Sequence, residues 1–292
     1  MEYLRLMRPK HYIKNLLIFL PLFFSGDIFN LLFLFRSILG FICFCFIASS
    51  VYIINDIKDV NLDMKHEIKK NRPIASGKVS TSGKVSIRNA KILLIFLIIT
   101  VIAINLFLIK NYLSFVFLII YLLINIAYSF GLKEKPIIDI FILSTGFLIR
   151  VIYGGTLLGI HVSNWLFLTV LCGSLYMSMG KRRNELKKGS SNTRSVLKYY
   201  NMDFFDKNMY MFLSMSLIFF SLWATELGNR FLLFSIIIVF ILCLRYSYDI
   251  ENDESFGDPV DVIVNDKAII ILTFLLVISF VLSLYIIPML EI

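Results

Sequence analysis

The chain has 292 residues, 58% of them hydrophobic, with 28 Phe and a mean hydropathy of +0.81. That composition excludes a water-soluble globular domain and marks a polytopic membrane protein. The formal net charge is +9, yet no soluble basic domain stands apart from the apolar runs, so nucleic acid is a poor reading of the partner.

Apolar runs of about 17 to 25 residues can span a bilayer. Nine are found, near 15–33, 37–55, 92–109, 112–130, 137–159, 164–180, 209–226, 231–248 and 268–288. They predict an all-α integral membrane protein forming one domain over 1–292. The first run is interrupted by Pro21, Gly26 and Asp27 but follows a basic N-terminus; without a small-residue cleavage site it does not read as a signal peptide. No linker, low-complexity tract or strong repeat divides the chain. The cysteines Cys43, Cys45, Cys172 and Cys243 lie in apolar runs without metal-ligand spacing and read as packing residues.

With the N-terminus inside, segments 1–14, 56–91, 131–136, 181–208 and 249–267 hold 24 Lys or Arg, while the outer segments hold three, Arg36, Lys110 and Arg230. The positive-inside rule then predicts a multi-pass protein of the cell membrane, N-terminus inside and C-terminus outside. Its basic face would meet anionic headgroups and phosphorylated substrates. The oligomeric state stays open, a homo-oligomer included.

The unusual polar groups gather at the inner ends of the spans. Arg8-Pro9-Lys10-His11-Tyr12-Ile13-Lys14-Asn15 precedes the first span; topology alone accounts for Arg5 and Lys10, while Lys14 sits at the span's mouth, within reach of a substrate phosphate. Asn55-Asp56-Ile57-Lys58-Asp59-Val60-Asn61-Leu62-Asp63 follows the second span. As a helix it would line Asn55, Asp59 and Asp63 along one face. Mg²⁺ is commonly held by one or two carboxylates and shared with substrate phosphates, which such a ladder can supply. A solvated helix end with ordinary charges is the alternative, weakened by the mutual repulsion of acids packed beside apolar turns.

Next, the Arg72 fork suits phosphate oxygens, and Pro73 with Gly77 suggests a shaped turn, whereas Lys69 and Lys70 serve topology. Tyr128 to Pro136 forms an inner hairpin with Lys133. It leads to Asp139 and Arg150, the latter deep enough in its span to face a polar cavity. Lys181-Arg182-Arg183 closes the sixth span after Gly180, which would let a bulky anion approach the backbone. Asp249 to Asp266 is an acidic inner loop whose role the sequence leaves undecided.

These residues resemble the UbiA superfamily of intramembrane prenyltransferases, through Asn55-Asp56-x-x-Asp59-x-x-x-Asp63 and the Arg72-Pro73 turn ending in Gly77. The resemblance implies nine transmembrane helices around a central cavity open to lipid, with Asn55, Asp56, Asp59 and Asp63 binding a diphosphate through Mg²⁺. One departure is large. Where such prenyltransferases carry a second aspartate-rich motif, this chain has Lys181-Arg182-Arg183-Asn184-Glu185.

The pattern is similar to the decaprenyl-phosphate phosphoribosyltransferase branch. The matching strings include Arg8-Pro9-Lys10, Lys14-Asn15, Tyr128-Ser129-x-Gly131-Leu132-Lys133, Asp139-Ile140, Gly146-Phe147-Leu148-Ile149-Arg150, Gly180-Lys181-Arg182 and Gly257-Asp258-Pro259-Val260. What this implies is Mg²⁺-dependent transfer of 5-phosphoribose from phosphoribosyl diphosphate to a polyprenyl phosphate, a step feeding cell-wall glycan. Asp56, Asp59, Asp63, Lys14, Arg72, Lys181 and Arg182 would be catalytic, and Asn55, Tyr128, Lys133, Asp139 and Arg150 would join Lys14, Arg72, Lys181 and Arg182 in binding substrate. A lipid phosphate is already anionic, so no general base is required, in keeping with the scattered His11, His66 and His161. Two rivals stay open: a prenyltransferase with an aromatic acceptor, and a transporter or lipid-binding protein, although no inverted repeat supports the latter.

Overall fold

Polar side chains set the starts of the long helices. In this computed structural model, which describes residues 2–65, 69–77, 85–189, 195–229, 231–251, 262 and 265–290, Asn30 Oδ1 accepts from the Leu32 and Phe33 amides ahead of the Leu31–Lys58 helix. Ser86, Asn111, Ser163, Asn201 and Asp266 do the same for the helices beginning at Ile87, Tyr112, Asn164, Met202 and Lys267. Such a cap satisfies amides that have no partner within the helix, a need that is acute where water is excluded. The Ile138–Leu158 helix stops at Gly159, whose φ of +72° favours glycine.

The described residues form helices and no strands. Seven of those helices are long and apolar enough to cross a membrane: Leu31–Lys58, Ile87–Ile109, Tyr112–Ser129, Ile138–Leu158, Met202–Glu226, Leu232–Glu251 and Lys267–Met289. The other two expected spans differ for physical reasons. The first is a 3₁₀ helix, Pro9–Phe19, continued by Leu20–Phe24 and ended by a turn at Gly26 with φ +87°. Residues from Leu31 onward belong to the next helix. The sixth, Asn164–Lys187, runs past the expected end at 180, and its last turns carry Lys181, Arg182, Arg183, Glu185 and Lys187.

The chain packs as two compact units. The first comprises Met1–Leu22, Asp27–Lys133 and Ile149–His161. Its core joins Ile18, Leu22, Phe44, Ile47, Val51, Leu118, Tyr121 and Tyr153, with a second cluster of Leu6, Ile53, Val60, Ile74 and Leu97. A methyl group on Gly154 would run into the Ile18 backbone, so the 3₁₀ segment lies directly against the Ile138–Leu158 helix. The second unit comprises Phe23–Gly26, Glu134–Leu148 and Val162–Ile292. It packs Leu175, Tyr176, Met179, Phe205, Met209, Tyr246 and Ile250 together, and separately Trp223, Leu232 and Phe280 with Phe23 and Phe24.

Large apolar side chains such as Phe107, Leu108, Phe234 and Phe274 remain exposed on the helices. In a bilayer these surfaces meet acyl chains, so their exposure carries no aqueous penalty.

Gly180 has a packing role. A Cβ there would come within 3.0 Å of Ile250 Cδ1 and 3.3 Å of Met209 Cε. The expected approach of an anion to its backbone is therefore replaced by close helix contact.

Candidate active site

The acidic stretch does not continue as one helix. Leu31–Lys58 ends at Asp59, whose φ/ψ of −89°/9° leaves the helical region before the short Val60–Asp63 turn begins. The expected face of Asn55, Asp59 and Asp63 is thereby divided. Asp56 and Asp63, seven residues or about two turns apart, share one partner: Arg72 Nη1 lies 3.1 Å from Asp56 Oδ1 and 2.7 Å from Asp63 Oδ2. Pro73 starts the Pro73–Gly77 helix immediately after Arg72, and Ser76 Oγ donates to the Arg72 carbonyl at 2.6 Å, so the turn holding this guanidinium is fixed locally.

Two further cations complete the cluster. Lys133 Nζ lies 2.9 and 3.1 Å from the two oxygens of Asp59. Arg8 Nη2 lies 2.5 Å from Asp56 Oδ1, with its guanidinium carbon 4.8 Å from the centre of the Tyr52 ring. Ser129 Oγ donates to Asn55 Oδ1, and Lys58 Nζ donates to the Ser129 carbonyl. Contacts thus join Asp56, Asp63, Arg72 and Arg8, and beside them along the same stretch Asp59 pairs with Lys133 and Asn55 with Ser129, whereas Tyr128, half-buried, neighbours them in sequence through Ser129.

Arg8 has no role that its residue type or local sequence announces. Only its place in a matching string pointed to it, because the Asp56 contact spans 48 residues.

The oxygen donors suit a hard cation. Among the described residues no group of three His, Cys, Asp or Glu side chains forms a ready-made metal cage. Mg²⁺ does not require one, since it is commonly bound through one or two carboxylates together with substrate phosphates. Asp56 is only 2% exposed, and its Oδ2 is a buried carboxylate oxygen lacking a hydrogen-bond partner. Such an orphan is costly unless a donor or cation arrives. The residues present fit the ion.

Arg150 is held elsewhere in the same unit. Its Nε donates to Asn15 Oδ1 at 2.8 Å and its Nη2 to the Tyr121 hydroxyl at 3.2 Å, with the guanidinium also over the Phe44 ring. Lys14 is half-buried beside Asn15.

Within the second unit, Asp139 and Arg182 form a buried pair. Arg182 Nε lies 2.8 Å from Asp139 Oδ2 and its Nη1 2.7 Å from Glu185 Oε2; the Arg182 and Asp139 side chains are 1% and 0% exposed. Tyr200 donates its hydroxyl to Asp139 Oδ1 at 2.8 Å and accepts from the Ile137 amide. Ile137 has φ +68°, a strained conformation for a β-branched residue. Burial raises the Tyr200 phenol above its ordinary pKa; the Ile137 amide opposes that and the Asp139 carboxylate adds to it. Arg182 and Asp139, expected to meet substrate, have contacts that tie the start of one helix to the end of another. Lys181 is half-buried on the adjacent position. His66 and Gly257-Asp258-Pro259-Val260 lie outside the described residues.

An all-helical, multi-pass membrane protein with an aspartate cluster balanced by arginines and lysine is the class that this architecture defines. The chain belongs to the UbiA prenyltransferase family, whose model matches residues 17–255. It is 30% identical to a decaprenyl-phosphate phosphoribosyltransferase of Corynebacterium glutamicum, over 98% of this chain and 87% of that one. A protein of the same name from Mycolicibacterium smegmatis is 30% identical over 92% of this chain and 88% of its own. A UbiA homologue of Archaeoglobus fulgidus, solved bound to GPP and Mg²⁺, superposes with a TM-score of 0.71 at 15% identity, covering 97% of this chain and 99% of that one; the likeness shows the shared fold. The protein is a transferase.

Proposed function

We propose that this chain transfers 5-phosphoribose from phosphoribosyl diphosphate to a polyprenyl phosphate, releasing diphosphate. The observation that carries the reading is the cluster in which Asp56, Asp59 and Asp63 are met by Arg8, Arg72 and Lys133. A site for a metal–diphosphate needs carboxylates for the cation and guanidinium or ammonium groups for the phosphates, and both sets stand here side by side. The names and coverage of the bacterial relatives favour the phosphoribosyl donor.

In this reading Asp59, Asp56 and Asp63, with Asn55, hold Mg²⁺, which when bound offsets the charge growing on the departing diphosphate. Arg72 and Lys133 bind and orient the diphosphate oxygens, and their positive charge favours the breaking of the C1–O bond. An oxygen of the lipid phosphate forms the new bond to C1, which carries oxocarbenium character as the leaving group departs. That oxygen is already anionic, so none of the three histidines is needed as a base. Lys14, Tyr128 and Arg150 supply further donors for the sugar phosphate and lipid phosphate.

We place the N-terminus and the acidic cluster on the cytoplasmic side of the cell membrane, with the 9–24 and 164–187 segments completing nine passes of one transferase domain. The 24-to-three distribution of Lys and Arg supports that orientation. Cysteines introduced at 30 or 161 should label from outside intact cells.

The reaction is tested with the purified chain, Mg²⁺, ribose-labelled phosphoribosyl diphosphate and a polyprenyl phosphate. Label should pass to the lipid. Prenylation of an aromatic acid, with phosphoribosyl diphosphate ignored, would overturn the assignment.

A further inference from the structure

Two guanidinium groups end on a single carboxylate oxygen. Arg8 Nη2 and Arg72 Nη1 both bond Asp56 Oδ1, while Asp56 Oδ2 is left bare in a residue only 2% exposed. With Arg72 also on Asp63 and Lys133 on Asp59, the charge of each of the three carboxylates is already balanced by a cation partner.

That balance has a consequence for binding. A divalent cation arriving alone at the bare Oδ2 would share Asp56 with Arg8 and Arg72 on Oδ1 and leave them beside a new positive charge. A diphosphate arriving alone would draw the same guanidinium groups away and leave the carboxylates uncompensated beside more negative charge. When both arrive, every group can change partner without any charge being stranded, the condition that makes partly buried ion pairs tolerable.

Arg8 is built for such an exchange. Its side chain is 22% exposed, against 2% for Asp56. A guanidinium has five N–H donors, and Asp56 takes a single hydrogen bond from it, at Nη2. The backbone is held while the side chain keeps this freedom: the Met7 carbonyl accepts from Ser49 Oγ at 3.0 Å, and Ser49 Oγ pairs with the Tyr12 hydroxyl at 2.8 Å. Arg8 itself sits at φ 55°, ψ 59°, in the left-handed region.

We infer that Arg8 is a substrate-binding residue that exchanges partners, neutralising Asp56 when the donor is absent and passing to the diphosphate oxygens as Asp56 turns to the cation. The inference rests on the acidic motif being a metal–diphosphate site. It makes cation and diphosphate binding interdependent, and it gives the loss of Arg8 two effects of opposite sign.

The test uses the full chain in lipid nanodiscs, with radioactive Mn²⁺ alone and with labelled inorganic pyrophosphate at saturating Mn²⁺. Arg8→Asn removes the charge with a residue that tolerates the left-handed backbone. Arg8→Asn should bind Mn²⁺ alone about three- to tenfold more tightly, the competitor for Asp56 being gone, and should bind Mn²⁺–pyrophosphate about tenfold more weakly, as expected for losing one charge-assisted contact. Arg8→Lys keeps the charge without the fork and should fall between the two. It carries the test if thermal melting shows Arg8→Asn to be unfolded.

Unchanged affinities, or equal weakening of both, would overturn the exchange and leave the acidic site standing. If the unsubstituted chain bound no Mn²⁺–pyrophosphate, or Asp59→Asn bound it equally well, the site itself would fall and the inference with it.

Discussion

The acidic cluster of the first unit and the Asp139–Arg182–Glu185 group of the second are made of the same side chains and differ in burial. In the first, Asp56 and Asp63 are buried, but their partners Arg8 and Arg72, and both members of the Lys133–Asp59 pair, keep 22 to 29% of their side-chain surface exposed. In the second, Arg182 and Asp139 are sealed at 1% and 0%. A partly exposed pair can trade its partner for a ligand, because water and the incoming charge share the cost. A pair with both members sealed cannot, since neither can reach an incoming charge and removing either leaves a buried charge alone. The comparison separates ion pairs that can do chemistry from those that hold helices.

The largest stability effect should therefore fall in the second unit. Arg182→Ala leaves Asp139 buried without its guanidinium and should cost about 3 to 5 kcal/mol, read as a lowered unfolding midpoint in detergent. A variant as stable as the parent would break the contrast. Lys133→Ala should do the reverse, leaving the melting temperature nearly unchanged and lowering kcat/KM by about ten- to a hundredfold, as for removal of one electrostatic contact to the leaving group. Equal loss of stability and activity would place Lys133 with the sealed group.

A smaller effect is expected at Asp266, half-buried and paired with the exposed Arg245, against which both regions can be judged. Its Oδ1 caps the Ile269 amide at 2.9 Å and its Oδ2 accepts from Arg245 at 2.6 and 2.8 Å. The cap, helped by Arg245, brings its pKa down to about 2. Because the folded value lies below the unfolded one, this stabilisation is complete above about pH 4 and is lost as pH falls towards 2. Asp266→Ala should remove that pH dependence, a small change in melting temperature measured between pH 2 and 5. A pH dependence as large as the parent's would assign it to other carboxylates.

Much of this was legible in the sequence, and the reasons differ by residue. Long apolar runs announce the helices because the bilayer demands length and hydrophobicity together. The Asp motif and Arg72 are close in sequence, so their association could be anticipated. Arg8 could not, since its contact with Asp56 depends on how the 3₁₀ segment packs. Arg182 reads as a phosphate ligand because charge at a span's end looks alike whether it is open or sealed; its buried contact with Asp139, 43 residues away, is not visible in the local sequence. The start of the first long helix at Leu31, by contrast, is written locally in Asn30.

The most direct measurement compares turnover and thermal stability of Asp59→Asn with those of Lys70→Ala, whose charge topology alone explains. Asp59→Asn keeps the shape and removes one negative charge from the cluster, so Mg²⁺-dependent transfer should fall by about 10² to 10⁴, or roughly 3 to 5 kcal/mol, with the melting temperature preserved. Lys70→Ala should be nearly silent in both. Near-normal turnover by Asp59→Asn at saturating Mg²⁺ would contradict the account and remove the acidic cluster from the reaction.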